Sequence, residues 1–281
     1  MFLYLLSFFI VIKKHYFAYR HNKNQEVINM IYPYKSIRNT SSTLVLLILC
    51  SQAFAKSALI DHAVIVGQSM SSFYMYNLSE GDQRYKEDYE ALLIKADSTF
   101  VNYEKSDAIS ASDLKQKWQA LRPQLNYDLY SNQDYFVPGQ IRVQYRNYLN
   151  DLYNKVTENI TKEAQLEQHL SLIDFNIEMI SARFFDLTSS PYGVQSLTPE
   201  DMKLDPIKAS LEIKQRLKDL KQLSNKDTLI KKISSIETKW NFIERTVINY
   251  KEESAFLLVY YNKRKIHQLI NNSKDILMAD I

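Results

Sequence analysis

Histidine, cysteine, acidic side chains and tyrosine carry most of the chemistry open to this chain, and their spacing decides which reactions or ligands they suit. A helix-borne metal site needs ligands about one turn apart on one face, as in His-x-x-x-His or Glu-x-x-His. Past residue 55 the histidines are His62, His169 and His267, far apart and on separate helical stretches, and the single cysteine is Cys50. No zinc or haem site follows from that spacing, so neither metal nor cofactor is expected. Gly-rich phosphate loops and Gly-x-Ser-x-Gly turns do not occur, and the abundant Ser and Thr have no evident base partner. Adjacent acids such as Glu87-Asp88 and Glu252-Glu253 suit the solvated face of a helix. A non-enzymatic protein is the expectation, with a hydrolase as the remote alternative.

Tyrosine is the residue the chain concentrates. From Trp118 to Tyr153 it gathers Tyr127, Tyr130, Tyr135, Phe136, Tyr145, Tyr148 and Tyr153, with Arg122, Arg142 and Arg146 among them. Rings beside guanidinium groups combine rigid apolar area with directional donors, which suits a ligand wall or a partner surface. Tyr130, Tyr135 and Phe136 fall in "LYSNQDYFVPG", an expected interhelical loop, and with the three arginines they are the candidate binding residues. Trp118, Trp240, Tyr145 and Tyr148 occupy seam positions and read as core anchors. Asp61 and Asp174 lie inside apolar runs, as buried hydrogen-bonding groups that hold helix starts or as ligand contacts.

The elements that must position these groups are helices. Four Gly and six Pro in 281 residues leave little room for hairpins. Leu166, Leu170, Ile173, Ile177, Ile180, Phe184 and Leu187 recur at steps of four and three, as do Leu229, Ile233, Ile236, Trp240, Ile243, Val247 and Tyr250. Weaker seams run through Tyr85, Tyr89, Leu92, Ala96 and Tyr103, through Leu114, Trp118, Leu121 and Leu125, and through Ile141, Tyr145, Tyr148, Leu152 and Val156. Thr198-Pro199-Glu200-Asp201 and Asp205-Pro206 carry helix-start signals. "KWQALRPQLNY" at Lys117 parallels "KWNFIERTVINY" at Lys239, and Asp61 and Asp174, Phe73 and Phe184, and Gly81 and Gly193 keep the same order around them. The expected fold is all-α, an elongated helical bundle of two tandem four-helix units over residues 56–160 and 164–281.

The compartment rests on "TLVLLILCSQAFAKS", residues 43–57, whose apolar run is well short of the roughly 20 residues a helix needs to span a bilayer. Lys35 and Arg38 precede it and Ala53-Phe54-Ala55 ends it, the three-part pattern of a signal peptide over residues 30–55. Residues 1–29 read as a non-native upstream extension or an N-terminal hydrophobic segment. Leu47-Ile48-Leu49-Cys50 resembles the lipobox of bacterial lipoproteins, with a bulky Leu49 where that motif has a small residue, so lipidation of Cys50 is the alternative. Six of the 35 Lys and Arg and one of the 32 Asp and Glu precede residue 56, leaving 29 basic against 31 acidic residues. Such a balance removes any charge-based case for nucleic acid.

Paired helical bundles of this kind are similar in outline to sensor modules of bacterial chemoreceptors, though no second span or signalling region follows. The sequence points to an exported protein, periplasmic or secreted, binding a small ligand or an envelope partner protein through its aromatic half. An assembly factor of an envelope complex, docking through the helix from Asp227 onward, is the alternative, and lipid or N-terminal membrane anchoring is the alternative to free export. Mass spectrometry of the protein from its own cell should find Lys56 at the N-terminus; a mature chain starting before residue 50 rules out cleavage.

Overall fold

Local chemistry sets where the helices begin and end. Asp82 accepts from the Arg84 amide at 3.0 Å, Asp107 from Ser110 at 3.0 Å, and Asp205 from Ile207 at 2.9 Å and Lys208 at 3.2 Å, so each caps a helix that starts at the next residue. Pro206 then occupies the first helical position. The first helix stops at Leu78 because Glu80 and Gly81 turn left-handed, and the Gly81 amide donates back to the Tyr76 carbonyl.

The computed structural model describes residues 34–126, 137–158, 160, 165–249 and 255–279, with side chains from Lys56 onward. Tyr130, Tyr135, Phe136, residues 1–29 and the side chain of Cys50 lie outside the described residues. Among those described are eight α-helices and no strand, and the fold is all-α. They are α1 (Tyr34–Leu78), α2 (Gln83–Ser106), α3 (Ala108–Leu121), α4 (Gly139–Glu158), α5 (Leu166–Thr188), α6 (Pro206–Leu223), α7 (Asp227–Asn249) and α8 (Phe256–Met278). Short 3-10 turns occupy Arg122–Asn126, Gly193–Ser196 and Pro199–Lys203. The boundary expected between Ala55 and Lys56 falls inside α1, and the stretch from Asp227 is two helices rather than one. No described helix is long and apolar enough to cross a membrane.

Residues 49–281 form one compact unit. Within it α2 packs on α3 and α3 on α4, while α5 packs on α4, α6, α7 and α8, and α7 packs along α8. Helix α1 joins the others through side chains. His62 and Ser69 bond Tyr148 and Tyr145 of α4, Phe73 packs on Tyr89 of α2, and Ser72 bonds Tyr260 of α8. Against α5 it has Gly67, where a Cβ would stand 3.1 Å from the Glu178 Cβ and 3.2 Å from the Met179 Cε, so the missing side chain permits the close approach.

The seams of α3 and α4, and that of α7 from Leu229 to Val247, are buried as their periodicity predicts, and Tyr250 lies outside the described residues. Two elements differ. In α2 the buried residues are Tyr85, Tyr89, Leu93, Ala96, Phe100 and Tyr103, so Leu93 rather than Leu92 faces inward. In α5 every residue from His169 to Leu187 is buried, and in α1 every residue from Ala58 to Tyr76 except Asp61. These two helices are enclosed on all sides, not along one stripe.

A charged network ties α4 to α5 and to the chain that follows it. Arg142 donates to the Asp186 carbonyl at 2.6 Å and its Oδ1 at 2.9 Å, and Arg146 to Asp186 Oδ2 at 2.8 Å and the Ser196 carbonyl at 2.7 Å. Arg183 donates to Asn150 at 2.9 Å and to Asp201 at 3.3 Å, while Asp201 accepts from the Thr198 amide at 2.9 Å in a capping box. All of these charges are buried. Removing one member strands its partner without solvent, so Arg146→Ala should lower unfolding free energy by about 3–5 kcal/mol. Arg122→Ala, at a part-exposed pair with Asp97, should cost under about 1 kcal/mol. Urea unfolding of both variants checks the contrast.

Candidate functional site

The arginines singled out by sequence do not form a surface wall. Arg142 and Arg146 are buried, and their donors are taken up by Asp186, Ser189, Ser196 and Asp201, because the folded chain places those acceptors on three sides of them. Arg122 Nε donates to Asp97 at 3.0 Å, and the Trp118 indole N–H donates to the same carboxylate at 2.9 Å. Trp240 is fully buried on α7, with no partner for its indole N–H. Asp61 and Asp174, matched in sequence, diverge: Asp61 is exposed on α1, contrary to the expected buried role, whereas Asp174 is buried on α5. Between them α1 is enclosed by protein at His62 but open to solvent one residue earlier.

Rings and guanidinium groups do meet, at a different place. Arg84, Tyr85, Glu87 and Asp88 on the first turns of α2 and Tyr260, Tyr261 and Arg264 on α8 line an open cavity of about 400 Å³. Tyr85 stands edge-on to Tyr260 with centroids 5.2 Å apart, Tyr261 lies 6.1 Å from Tyr260, and the Arg264 guanidinium sits 5.5 Å from the Tyr260 ring centre. The Tyr260 hydroxyl donates to Asp88 Oδ2 at 3.2 Å and lies 3.0 Å from Ser72 Oγ. Asp88 also pairs with Arg264, and Asp82 with the exposed Arg84. Burial pushes the Tyr260 phenol up to about 12, and burial together with a hydrogen bond to Tyr261 raises Tyr85, so these two phenols stay neutral between paired charges. A second open cavity, about 470 Å³, lies between α3, α4 and the Pro199–Lys203 turn, with Tyr148 its one aromatic residue.

Lys263, 5.7 Å from the Tyr260 ring centre, belongs to a quartet that spacing alone did not reveal, three of its members buried and His267 part-exposed. Asp174 and Glu178 are one turn apart on α5, Lys263 and His267 one turn apart on α8, and the two helices face each other. His267 Nδ1 is 2.8 Å from Asp174 Oδ2, and Lys263 donates to Glu178 Oε2 at 2.6 Å. Gln68 of α1 reaches Glu178 Oε1 at 3.4 Å, and the Asn271 amide lies 2.9 Å from His267 Nε2. Burial works against the His267 imidazolium, but the Asp174 and Glu178 carboxylates outweigh it and hold its pKa above the ordinary value. Burial also holds Glu178 above the usual carboxylate range, although Lys263 pulls the other way. The one local signal was i, i+4 spacing, Asp-x-x-x-Glu and Lys-x-x-x-His, which is too common to identify a site.

His62 is the opposite case. Thr99 Oγ1 donates to the Ala96 carbonyl at 3.0 Å and accepts from His62 Nδ1–H at 3.1 Å, which leaves Nε2, 2.8 Å away, to accept from the Tyr148 hydroxyl. Phe100, Trp118 and Tyr148 surround the ring edge-on.

Comparison of the chain with known families, curated proteins and solved structures finds no match. Function must therefore be argued from these sites alone.

Burial lowers the His62 pKa to about 3, so the imidazole stays neutral in the folded protein and protonates in the unfolded chain near pH 6.5. The stability this group contributes is present above pH 6.5 and is lost as pH falls toward about 3. Between about pH 6.5 and 5, above the carboxylate range, unfolding free energy should drop by up to about 1.4 kcal/mol per pH unit. His62→Phe should remove that slope in urea unfolding at a series of pH values.

Proposed function

We propose that this is an exported, non-enzymatic helical binding module whose groove between α2 and α8 takes a small ligand or the end of a partner peptide. The observation that supports it is the wall of Tyr85, Tyr260 and Tyr261 flanked by Arg84 and Arg264. Its volume of about 400 Å³ lies in the range of small-molecule sites. The guanidinium groups already face Asp82 and Asp88, and Glu87 adds an exposed acid on the rim. Tyr85 and Tyr260 are buried behind the half-exposed Tyr261, so an occupant with a flat apolar body and charges of both signs suits it best, with its ring against Tyr261 and each charge exchanged for one at the rim. In this proposal the leader delivers the protein to the periplasm or outside the cell. The two halves, α1–α4 and α5–α8, descend from a duplicated four-helix unit, and the groove lies where the first half meets the second.

A second reading, an assembly factor of an envelope complex, draws on the exposed apolar side chains of Phe242 on α7 and Leu257 and Leu258 on α8. A protein partner captured in equimolar amount, together with no response to small molecules, would favour it.

Thermal shift with aromatic amino acids and short aromatic peptides tests the primary reading. A ligand at a hundred times its Kd stabilises by about 2.7 kcal/mol. Tyr261 is half exposed, so Tyr261→Ala should change stability of the free protein by no more than about 0.5 kcal/mol, and it should abolish the shift. Stabilisation that survives in Tyr261→Ala removes the groove from the mechanism.

A further inference from the structure

The quartet between α5 and α8 buries Asp174, Glu178 and Lys263 and leaves His267 part-exposed, and its pairing is incomplete. Asp174 is almost fully buried, and its Oδ1 has no hydrogen-bond partner. A carboxylate oxygen left so costs on the order of 1–3 kcal/mol or more. The potential ligand atoms of Asp174, Glu178 and His267 lie within 4.8 Å of one another. Around a tetrahedral ion with bonds of about 2.0–2.2 Å, neighbouring ligand atoms stand roughly 3.3 Å apart, so side-chain rotation closes the gap.

We propose that Asp174, Glu178 and His267 form a site for a divalent transition-metal ion of the Zn²⁺ type. One imidazole and two carboxylates are a donor set for such an ion, and three protein ligands are too few for the oxygen-rich shell of Ca²⁺. The ion takes up Asp174 Oδ1, and the fourth position is left to water. Entry is from the α8 side, where His267 is about 21% exposed and Asn271 is exposed. The Asp61 carboxylate of α1 is close enough to act on that of Asp174, and the Lys274 ammonium opposes it there.

Lys263 is the resident competitor. Its ammonium holds Glu178 Oε2 at 2.6 Å and lies 5.7 Å from the Tyr260 ring centre. An ion must share Glu178 with it or displace it, so the lysine weakens the site and sets its affinity. A site defined this way responds oppositely to two kinds of substitution, which a purely structural quartet does not do.

Equilibrium dialysis of the full-length chain against Zn²⁺, after chelator treatment, tests this. His267→Gln should lose one equivalent of bound Zn²⁺ relative to the unaltered protein, and Asp174→Asn should do the same. Lys263→Met should bind that equivalent about tenfold or more tightly, equivalent to about 1.4 kcal/mol, and should gain more thermal stability from Zn²⁺ than the parent does. The proposal is overturned if the folded His267→Gln protein keeps the same number of tight equivalents, or if Lys263→Met binds no more tightly than the parent. Circular dichroism establishes folding for each variant. Should Asp174→Asn not fold, the part-exposed His267 position and the Lys263 gain still decide the matter.

Discussion

Helix α5 is enclosed by protein on every face from His169 to Leu187, and the helix nonetheless carries Asp174, Glu178, Arg183 and Asp186. Water cannot solvate any of these charges, so each must be met by a partner from another helix. The rest of the structure is arranged around that demand. Toward its N-terminal half α5 takes its partners from α8, with His267 for Asp174 and Lys263 for Glu178. Toward its C-terminal half it takes them from α4 and the chain after it, with Arg142 and Arg146 for Asp186 and Asp201 for Arg183. The two neighbourhoods differ in completeness. Asp186 has both oxygens occupied, whereas Asp174 keeps one oxygen open.

Enclosure also explains why ion pairs of similar length matter so differently. Lys115–Glu104 at 2.6 Å and Lys221–Glu237 at 2.6 Å lie on part-exposed surfaces, where water competes for both partners and the pair adds little. Lys263–Glu178, also at 2.6 Å, is almost solvent-free on both sides. There the attraction is offset by desolvation, and the net worth of the pair over an apolar substitute is small, while the cost of breaking it is large. Such contacts select one arrangement of helices over its alternatives.

Tyrosine serves more than one environment in this fold. Tyr145 and Tyr148 bury their rings and use their hydroxyls on Ser69 and His62. Tyr85, Tyr260 and Tyr261 pack their rings on one another at the edge of an open cavity. The dense aromatic segment from Trp118 to Tyr153 suggested a binding surface; two of its arginines, Arg142 and Arg146, are drawn inward by Asp186 and Asp201, forty and more residues later. Arg122 pairs with Asp97, and the loop aromatics lie outside the described residues. The groove instead pairs residues near position 85 with residues near 260, and neither neighbourhood stands out alone.

What the sequence by itself determined is the helical class, most helix limits and the buried seams of α3, α4 and α7. These follow from scarce Gly and Pro, from capping side chains within three residues of the amides they satisfy, and from apolar spacing that repeats within one helix. All of those are local interactions. Only the tertiary structure decided that α5 from His169 to Leu187 and, apart from Asp61, α1 from Ala58 to Tyr76 are enclosed by protein, that Asp61 is exposed while Asp174 is not, and that His267 meets two acids some ninety residues away. Such facts depend on which helix lies beside which. That choice is made by the summed packing and charge pairing of the whole chain, and no single stretch of it carries the information.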